Sequence, residues 1–294
     1  MFNGKAIYNP SGKAGEYAQW ACNLYVGCSN DCSYCYCKRG VLGTVMGEPK
    51  ARLKACFRDE THAFEVFVKE LTKNADAIRN EGGLFFSFTT DPMLPETIDL
   101  TMMCVSFATG MAIPCQILTK RSDWTRIKEQ QNPLTPTTRK NLAPRLLYTD
   151  TLRSYKDLVA VGFSISGHDE LEPNADLNMN RIEGMKLLHN LGIKTFASFE
   201  PIVTFERATE YLHYAEPYCN LFKFGLMSGD THAYDQYDMP TRLEEFVKET
   251  TAFLSQKKKP IYWKKSITDF FNGKTPEGKT VVDKDYNLFT EKDV

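Results

Sequence analysis

Four of the chain's nine cysteines, Cys28, Cys32, Cys35 and Cys37, fall within the sixteen residues YVGCSNDCSYCYCKRG. Thiols packed this closely can bind metal, attack substrates or form disulfides. The odd total and the lack of a regular pairing pattern argue against a disulfide framework. Cys28, Cys32 and Cys35 are separated by three and two residues, in a loop whose Gly27, Ser29, Asn30 and Ser33 let the backbone fold around an inorganic group. Three sulfurs on three corners of an iron–sulfur cube leave the fourth iron without a protein ligand, and an open iron can bind a substrate or cofactor. Zinc held by four of the sulfurs, with Cys37 or Cys22 as the fourth, is the competing reading. Structural zinc sites usually pair two knuckles a dozen or more residues apart, and a second C-x2-C is absent here. Cys56, Cys104 and Cys219 each stand alone and read as small hydrophobes, and Cys115 opens a strand, where packing is its expected role.

These thiols must be positioned by the elements around them, and the chain alternates strand-like with helix-like segments. WACNLYVG runs into the cysteine loop, HAFEVFVKELTKNADAIR has helical periodicity, and GGLFFSFTT is a buried strand bounded by glycines. Further strands are predicted at PCQILTK, LVAVGFSIS, IKTFASFEP, NLFKFGLMSG and PIYWKK. Helices are predicted at LPETIDLTMMCVSFATGM, MNRIEGMKLLHNLG, FERATEYLHYAEP and TRLEEFVKETTAFLSQ. The stretch from KRSDWTRIKEQQ to TLRSY breaks this rhythm and reads as a crossover. Near-continuous apolar strands fit a parallel sheet buried on both faces. The expected fold is α/β, a partial (β/α)6-type TIM barrel with peripheral N- and C-terminal extensions, forming a single domain over 1–294. Its core would span about 19–268, with a polar extension over about 269–294. In such a barrel the polar loops after the strands share one rim, where the chemistry is done.

The composition sets outer bounds. A content of 42% hydrophobic and 25% charged residues supports a packed core, and a net charge of −1 gives no global attraction to polyanions. The N-terminal MFNGKAIYNPSGKAGEY lacks a signal-peptide apolar core, and no run approaches the ~18 apolar residues of a membrane span, so a cytoplasmic protein with no membrane partner is expected.

The motif CSNDCSYC, with an aromatic residue before its last cysteine and a strand before the loop, resembles the radical S-adenosylmethionine superfamily. Within it, YNPSGKAGEYAQWACNLYVGCSNDCSYCY, FSFTTDPMLPE and ILTK look like the spore photoproduct lyase-like, or DNA repair photolyase-like, branch. The resemblance implies a [4Fe-4S] cluster on Cys28, Cys32 and Cys35. It also implies S-adenosyl-L-methionine on the fourth iron and an external flavodoxin- or ferredoxin-like one-electron reductant. Reductive cleavage of that cofactor would yield a 5′-deoxyadenosyl radical for hydrogen abstraction, with the difficult chemistry carried by the cofactors and their orientation by the protein.

Cofactor contacts follow from the same resemblance. Tyr34 would lie against adenine, and the backbone after Cys35, at Tyr36, would meet its edge. Thr89, Thr90 and Asp91 of TTDP would receive the methionyl ammonium, and Lys120 would pair with the carboxylate. Ser164 or Ser166 would serve ribose or carboxylate, and Arg181 would clamp a carboxylate. Asp91 before Pro92 also suits a turn or a helix cap, and Lys120 or Arg181 also suits a solvated surface. In spore photoproduct lyase a cysteine returns a hydrogen atom to the product. The comparable position here is Phe88, which has no labile hydrogen, so the same repair cycle is in doubt.

Two substrate classes stay open. A nucleic-acid base, for repair or modification, is suggested by the branch and by the basic, aromatic segments KRSDWTRIK, TRKNLAPR and KKKPIYWKK. A peptide or small metabolite is the alternative, and a zinc-stabilised binding module is the non-enzymatic one. Glu200, Lys223, Tyr262, Trp263, Lys264 and Lys265 are further candidates by their place near strand ends.

Overall fold

The computed structural model describes residues 5–40, 43–125, 148–227 and 239–290. It is a mixed α/β fold built on an eight-stranded, mostly parallel sheet. The first strand, β1 (Ile7–Tyr8), pairs antiparallel with β2 (Ala21–Cys22). Parallel pairings then run from β2 through β5 (Leu84–Phe86), β6 (Cys115–Thr119), β7 (Val159–Ser164), β8 (Lys194–Ile202) and β9 (Leu221–Leu226) to β10 (Ile261–Trp263). Two short strands, β3 (Tyr25–Val26) and β4 (Arg52–Leu53), form a separate hairpin sheet flanking the cysteine loop. The predicted strand WACNLYVG is thus divided between two sheets.

Helices α1 (Glu60–Asn80), α2 (Ile98–Gly110), α3 (Asn178–Asn190), α4 (Phe205–Ala215) and α5 (Met239–Gln256) match the five predicted helical segments. In α1, Asp59 caps the N-terminus by accepting from the His62 amide (2.7 Å), and Ala63, Phe67 and Leu71 recur at a four-residue interval to form its buried stripe. In the predicted crossover, Asp123–Thr125 form one 3-10 turn, and 126–147 lie outside the described residues.

The two-residue period of the strands sorts their side chains onto two faces. Ile117, Val161, Phe199, Phe224 and Trp263 belong to the large core beneath the helices. A smaller core on the other face holds Phe85, Ala160, Phe196 and Leu221 with Tyr17 and Leu288. On that second face the chemistry changes along the strands. Leu118, Gly162, Phe196 and Leu221 are in register as an apolar row, and two residues further on Ser164, Ser198, Lys223 and Tyr262 form a polar one. Polarity therefore concentrates toward the carboxyl ends of the strands.

The polar C-terminal extension is more than peripheral. Leu288 is fully buried in the second core, its carbonyl accepts from Lys194 Nζ (2.7 Å), and Val281 bridges to Ile261. One leucine closes an apolar end of the sheet.

Candidate active site

The cysteine loop follows β3 through Gly27. At φ +78° this residue occupies the left-handed region, and a Cβ there would stand 2.3 Å from the Lys50 carbonyl, so only glycine lets the chain pass so close to the neighbouring segment. The next amide, Cys28 N–H, bonds the Glu48 carbonyl (2.9 Å), and Ser33 N–H bonds Leu171 O (2.9 Å). Fixed in this way, Cys28, Cys32, Cys35 and Cys37 all line a cavity of about 600 Å³ at the carboxyl ends of the strands. Among the described residues no three His, Cys, Asp or Glu side chains gather at the spacing a single metal ion needs.

Burial sets the direction for two of the thiols. It pushes Cys28 up to about 12, with the Asp91 carboxylate adding to the effect, and it raises Cys32 as well. Cys35 is pulled down to about 6 because the Cys37 thiol hydrogen-bonds to it, and Cys37 is raised by the same contact and by burial. Cys37 Sγ also lies 3.7 Å from the Phe88 carbonyl, the alternative acceptor for its one proton. Cys104, Cys115 and Cys219 are buried as expected, whereas Cys56 is exposed.

Asp91 anchors this wall. Its Oδ1 accepts from Thr119 Oγ1 (2.6 Å) and the Met93 amide (3.0 Å), and its Oδ2 from Asn30 Nδ2 (2.8 Å) and the Lys120 amide (2.7 Å). Four donors occupy the carboxylate, so Asp91 ties the cysteine loop to the ends of β5 and β6. Because a carboxylate can only accept, Asn30 must turn its amino group toward it. Asn30 Oδ1 and the Thr90 hydroxyl are then left buried with no hydrogen-bond partner among the described residues, and both residues line the cavity. Such orphaned groups cost free energy unless something occupies the space beside them.

A second anchor is Glu172. Its fully buried carboxylate bonds the equally buried Arg181 (2.6 Å), receives the Tyr34 hydroxyl and lies 3.7 Å from Lys120 Nζ. Burial alone would raise its pKa, but Lys120 and Arg181 outweigh burial and hold it below the ordinary carboxylate range. Lys120 Nζ also sits 5.4 Å over the Tyr34 ring.

Of the predicted cofactor contacts, Tyr34, Tyr36, Thr89, Thr90, Asp91, Lys120 and Ser164 line the cavity. Tyr36 is exposed and donates to Phe88 O, and Thr89 Oγ1 donates to Tyr25 O (2.6 Å). Ser166 and Arg181 do not line it. Ser166 Oγ bonds within the turn at His168, and Arg181 spends its guanidinium on Asp176 O (2.8 Å), Ser164 O (2.8 Å) and Glu172. Arg181 is also no solvated surface charge, being completely buried. Asn30, read from the sequence only as a small polar loop residue, and Glu172, which sequence reasoning did not single out, hold more of the geometry than either. Their partners are distant in sequence, so no local pattern marks them.

The opposite wall is built from the other edge of the sheet. Tyr17 bonds Ser198 Oγ (2.6 Å) and Glu200 Oε2 (2.6 Å), and Lys264 reaches the same Oε2 (2.5 Å) with Glu16 at 3.8 Å. Glu16 further accepts from the Tyr262 hydroxyl (3.1 Å) and the Lys265 amide (2.6 Å). Behind them Lys223, buried against the rings of Tyr17 (4.8 Å) and Phe196 (5.7 Å), is pushed down to about 7 by burial, with Lys264 adding to the effect. Trp263 points the other way into the helix-side core, and Lys265 is exposed, paired with Asp269.

No family model matches the chain, and no curated protein matches it. Among solved structures it is similar to SuiB of Streptococcus suis, at a TM-score of 0.48 and 13% identity over 81% of this chain and 47% of that one. SuiB bound to S-adenosylmethionine gives 0.46 and 12% over 80% and 47%, and SuiB bound to precursor peptide SuiA gives 0.49 and 12% over 82% and 47%. The chain spans about half the length of these structures.

Proposed function

We propose that this chain is a radical S-adenosylmethionine enzyme that holds a [4Fe-4S] cluster on Cys28, Cys32 and Cys35 and binds S-adenosyl-L-methionine in the adjoining cavity. One observation carries the reading. The thiols of CSNDCSYC share one cavity wall with seven expected cofactor contacts, drawn from the cysteine loop and three strand ends, and that wall contains two buried polar atoms without partners. A donor set of three thiols beside unfilled acceptors suits the pair of groups.

When bound, they supply a carbon radical through one-electron cleavage of a carbon–sulfur bond. The chain's own residues bind and orient. Asn30 Oδ1 and Thr90 Oγ1 are the unfilled partners for an ammonium, while Asp91 holds Asn30 in place. Lys120, shared with Glu172, offers a cation to a carboxylate, and the Tyr34 ring, fixed by Glu172, offers an aromatic face. Arg181 acts at one remove by keeping Glu172 ionised. A flavodoxin- or ferredoxin-like reductant is the expected electron source.

The same reading takes the sheet as a partial (β/α)6-type barrel. Its support is that Glu16 and Tyr17, between the edge strand β1 and its neighbour β2, reach across to β8 and the end of β10. The spore photoproduct lyase-like branch is carried no further than the segments that suggested it, and Phe88, stacked on Phe85 at 4.7 Å, has no hydrogen to return.

For the substrate we favour a peptide or small metabolite over a nucleic acid. Of the basic, aromatic segments, Trp124 and Trp263 are buried and so cannot stack bases, and TRKNLAPR lies outside the described residues. No described helix is long and apolar enough to cross a membrane.

Anaerobic reconstitution tests the proposal. The expected product is a brown protein with about four irons per chain that forms 5′-deoxyadenosine only with reductant. A colourless, zinc-loaded protein without cofactor cleavage would overturn it.

A further inference from the structure

The sheet order leaves two edges, β1 and β10, and two segments outside the strands join them. Toward the carboxyl ends of the strands, Glu16 and Tyr17 make the join through polar bonds to β8 and the end of β10. Toward the amino ends the join is the C-terminal tail. Its Thr280 carbonyl accepts from the Ile261 amide (2.9 Å), its Val282 amide donates to the Ile261 carbonyl (2.9 Å), and Asp285 Oδ1 accepts from Gln19 Nε2 (3.3 Å) just before β2. The tail is therefore bonded on both sides of the gap.

Between these two joins the tail turns an apolar side chain inward. Leu288 is 1% exposed and belongs to one packed cluster with Tyr17, Phe85, Phe196 and Leu221. Phe88 and Leu118 pack against the same cluster, and with Tyr17 they line the cavity, so a single apolar stack runs from the cavity wall to the tail. Gly162 makes that stack continuous. A Cβ there would stand 2.1 Å from Phe196 Cε2, and the missing side chain lets the Phe196 ring lie across β7. Lys223, 5% exposed, rests against this ring (5.7 Å) and that of Tyr17 (4.8 Å). Its amine is lowered to about 7 by burial, as a dry interior requires.

We propose that the tail segment 280–289 is the floor of the cavity, with Leu288 as its seal, so that water reaches the cavity only from the carboxyl ends of the strands. Water exclusion on that side strengthens the polar contacts in front of it and shuts out side reactions. Lys194 is a positioning residue in this account, because its Nζ holds the Leu288 carbonyl (2.7 Å). The inference stands apart from the proposed function, since a closed floor is the same whatever the cavity binds.

Nuclear magnetic resonance on the full chain without cofactor tests it. In the unsubstituted protein the Leu221 methyls should receive no magnetisation from water. The Lys223 side-chain signal, assigned by its loss in Lys223→Met, should titrate near 7. Leu288→Asn, neutral and close to leucine in size, should admit water and move that titration up by roughly 1–2 toward 10.5, with Lys264, Glu200, Glu16, Tyr17 and Tyr262 around it unaltered. Leu288→Met refills the space and should leave the titration in place. Water transfer to Leu221 in the unsubstituted protein would overturn the inference, as would a Lys223 titration that does not move in folded Leu288→Asn. The Leu221 measurement needs no variant, and so keeps the test decisive if Leu288→Asn does not fold.

Discussion

The two walls of the cavity solve opposite problems with similar residues. On the cysteine side the protein itself satisfies the carboxylates, Asp91 with four donors and Glu172 with Arg181, while four thiols, Asn30 and Thr90 line the cavity and the last two leave polar atoms without a partner among the described residues. On the Glu200 side Glu200 and Lys264 both line the cavity and pair with each other, with Tyr17 on the same carboxylate oxygen. On the proposed reading, a wall that leaves polar atoms unpaired is arranged around a resident group. A wall that nearly completes its own pairing needs no such group.

The sharpest way to break this contrast is at the thiols. Replacing Cys28, Cys32 or Cys35 singly with Ala should abolish cluster iron and 5′-deoxyadenosine formation, whereas Cys37→Ala should retain both. Iron analysis with chromatographic detection of the nucleoside checks this, and the reverse pattern would reassign the ligands.

Next in size is the Glu172 anchor. Glu172→Leu strands the buried Arg181 and should lower the unfolding free energy by about 3–5 kcal/mol in urea titrations. The Glu172→Leu, Arg181→Met double variant should recover part of that loss.

A smaller effect sharpens the contrast from the other direction. Thr90→Val removes a hydroxyl that bonds nothing in the unliganded protein, so stability should hold or rise slightly while affinity for S-adenosylmethionine falls about tenfold. Calorimetry measures both quantities. A large loss of stability would show that the hydroxyl already has a partner.

The smallest expected signal is a slope, and it belongs to the Glu200 side. Lys223 is lowered to about 7 from an ordinary value of 10.5, so between those limits the unfolded chain binds more protons than the folded one. Stability from this group therefore rises with pH across that window, and the burial penalty is complete below about 7. Lys223→Met should flatten the rise in thermal midpoint between pH 7 and 10 and stabilise the protein at pH 6.

Much of the scaffold was legible because it is written locally. Runs such as LVAVGFSIS and NLFKFGLMSG are apolar on both faces, as parallel strands must be, and helix α1 shows its stripe in Ala63, Phe67 and Leu71. The cysteine loop announced itself by spacing. What escaped depends on partners remote in sequence. Arg181 read as a surface or clamping residue because nothing near it signals that Glu172 and the Ser164 carbonyl will enclose it. Leu288 sits in a polar tail, and only the open end of the second core explains its burial. Ser164 and Ser166 alternate toward the same side, yet the chain leaves the strand at Ser164 and the second serine turns into a loop.

The central claim is an iron–sulfur cube held by three cysteines with one iron open to S-adenosylmethionine. The most direct measurement is electron–nuclear double resonance on the reduced, reconstituted chain with S-adenosylmethionine labelled with ¹⁵N at its amino group. The account predicts strong coupling between the cluster spin and the label, lost when unlabelled cofactor is exchanged in. A reduced cluster whose signal does not change with the cofactor and shows no ¹⁵N coupling would contradict it.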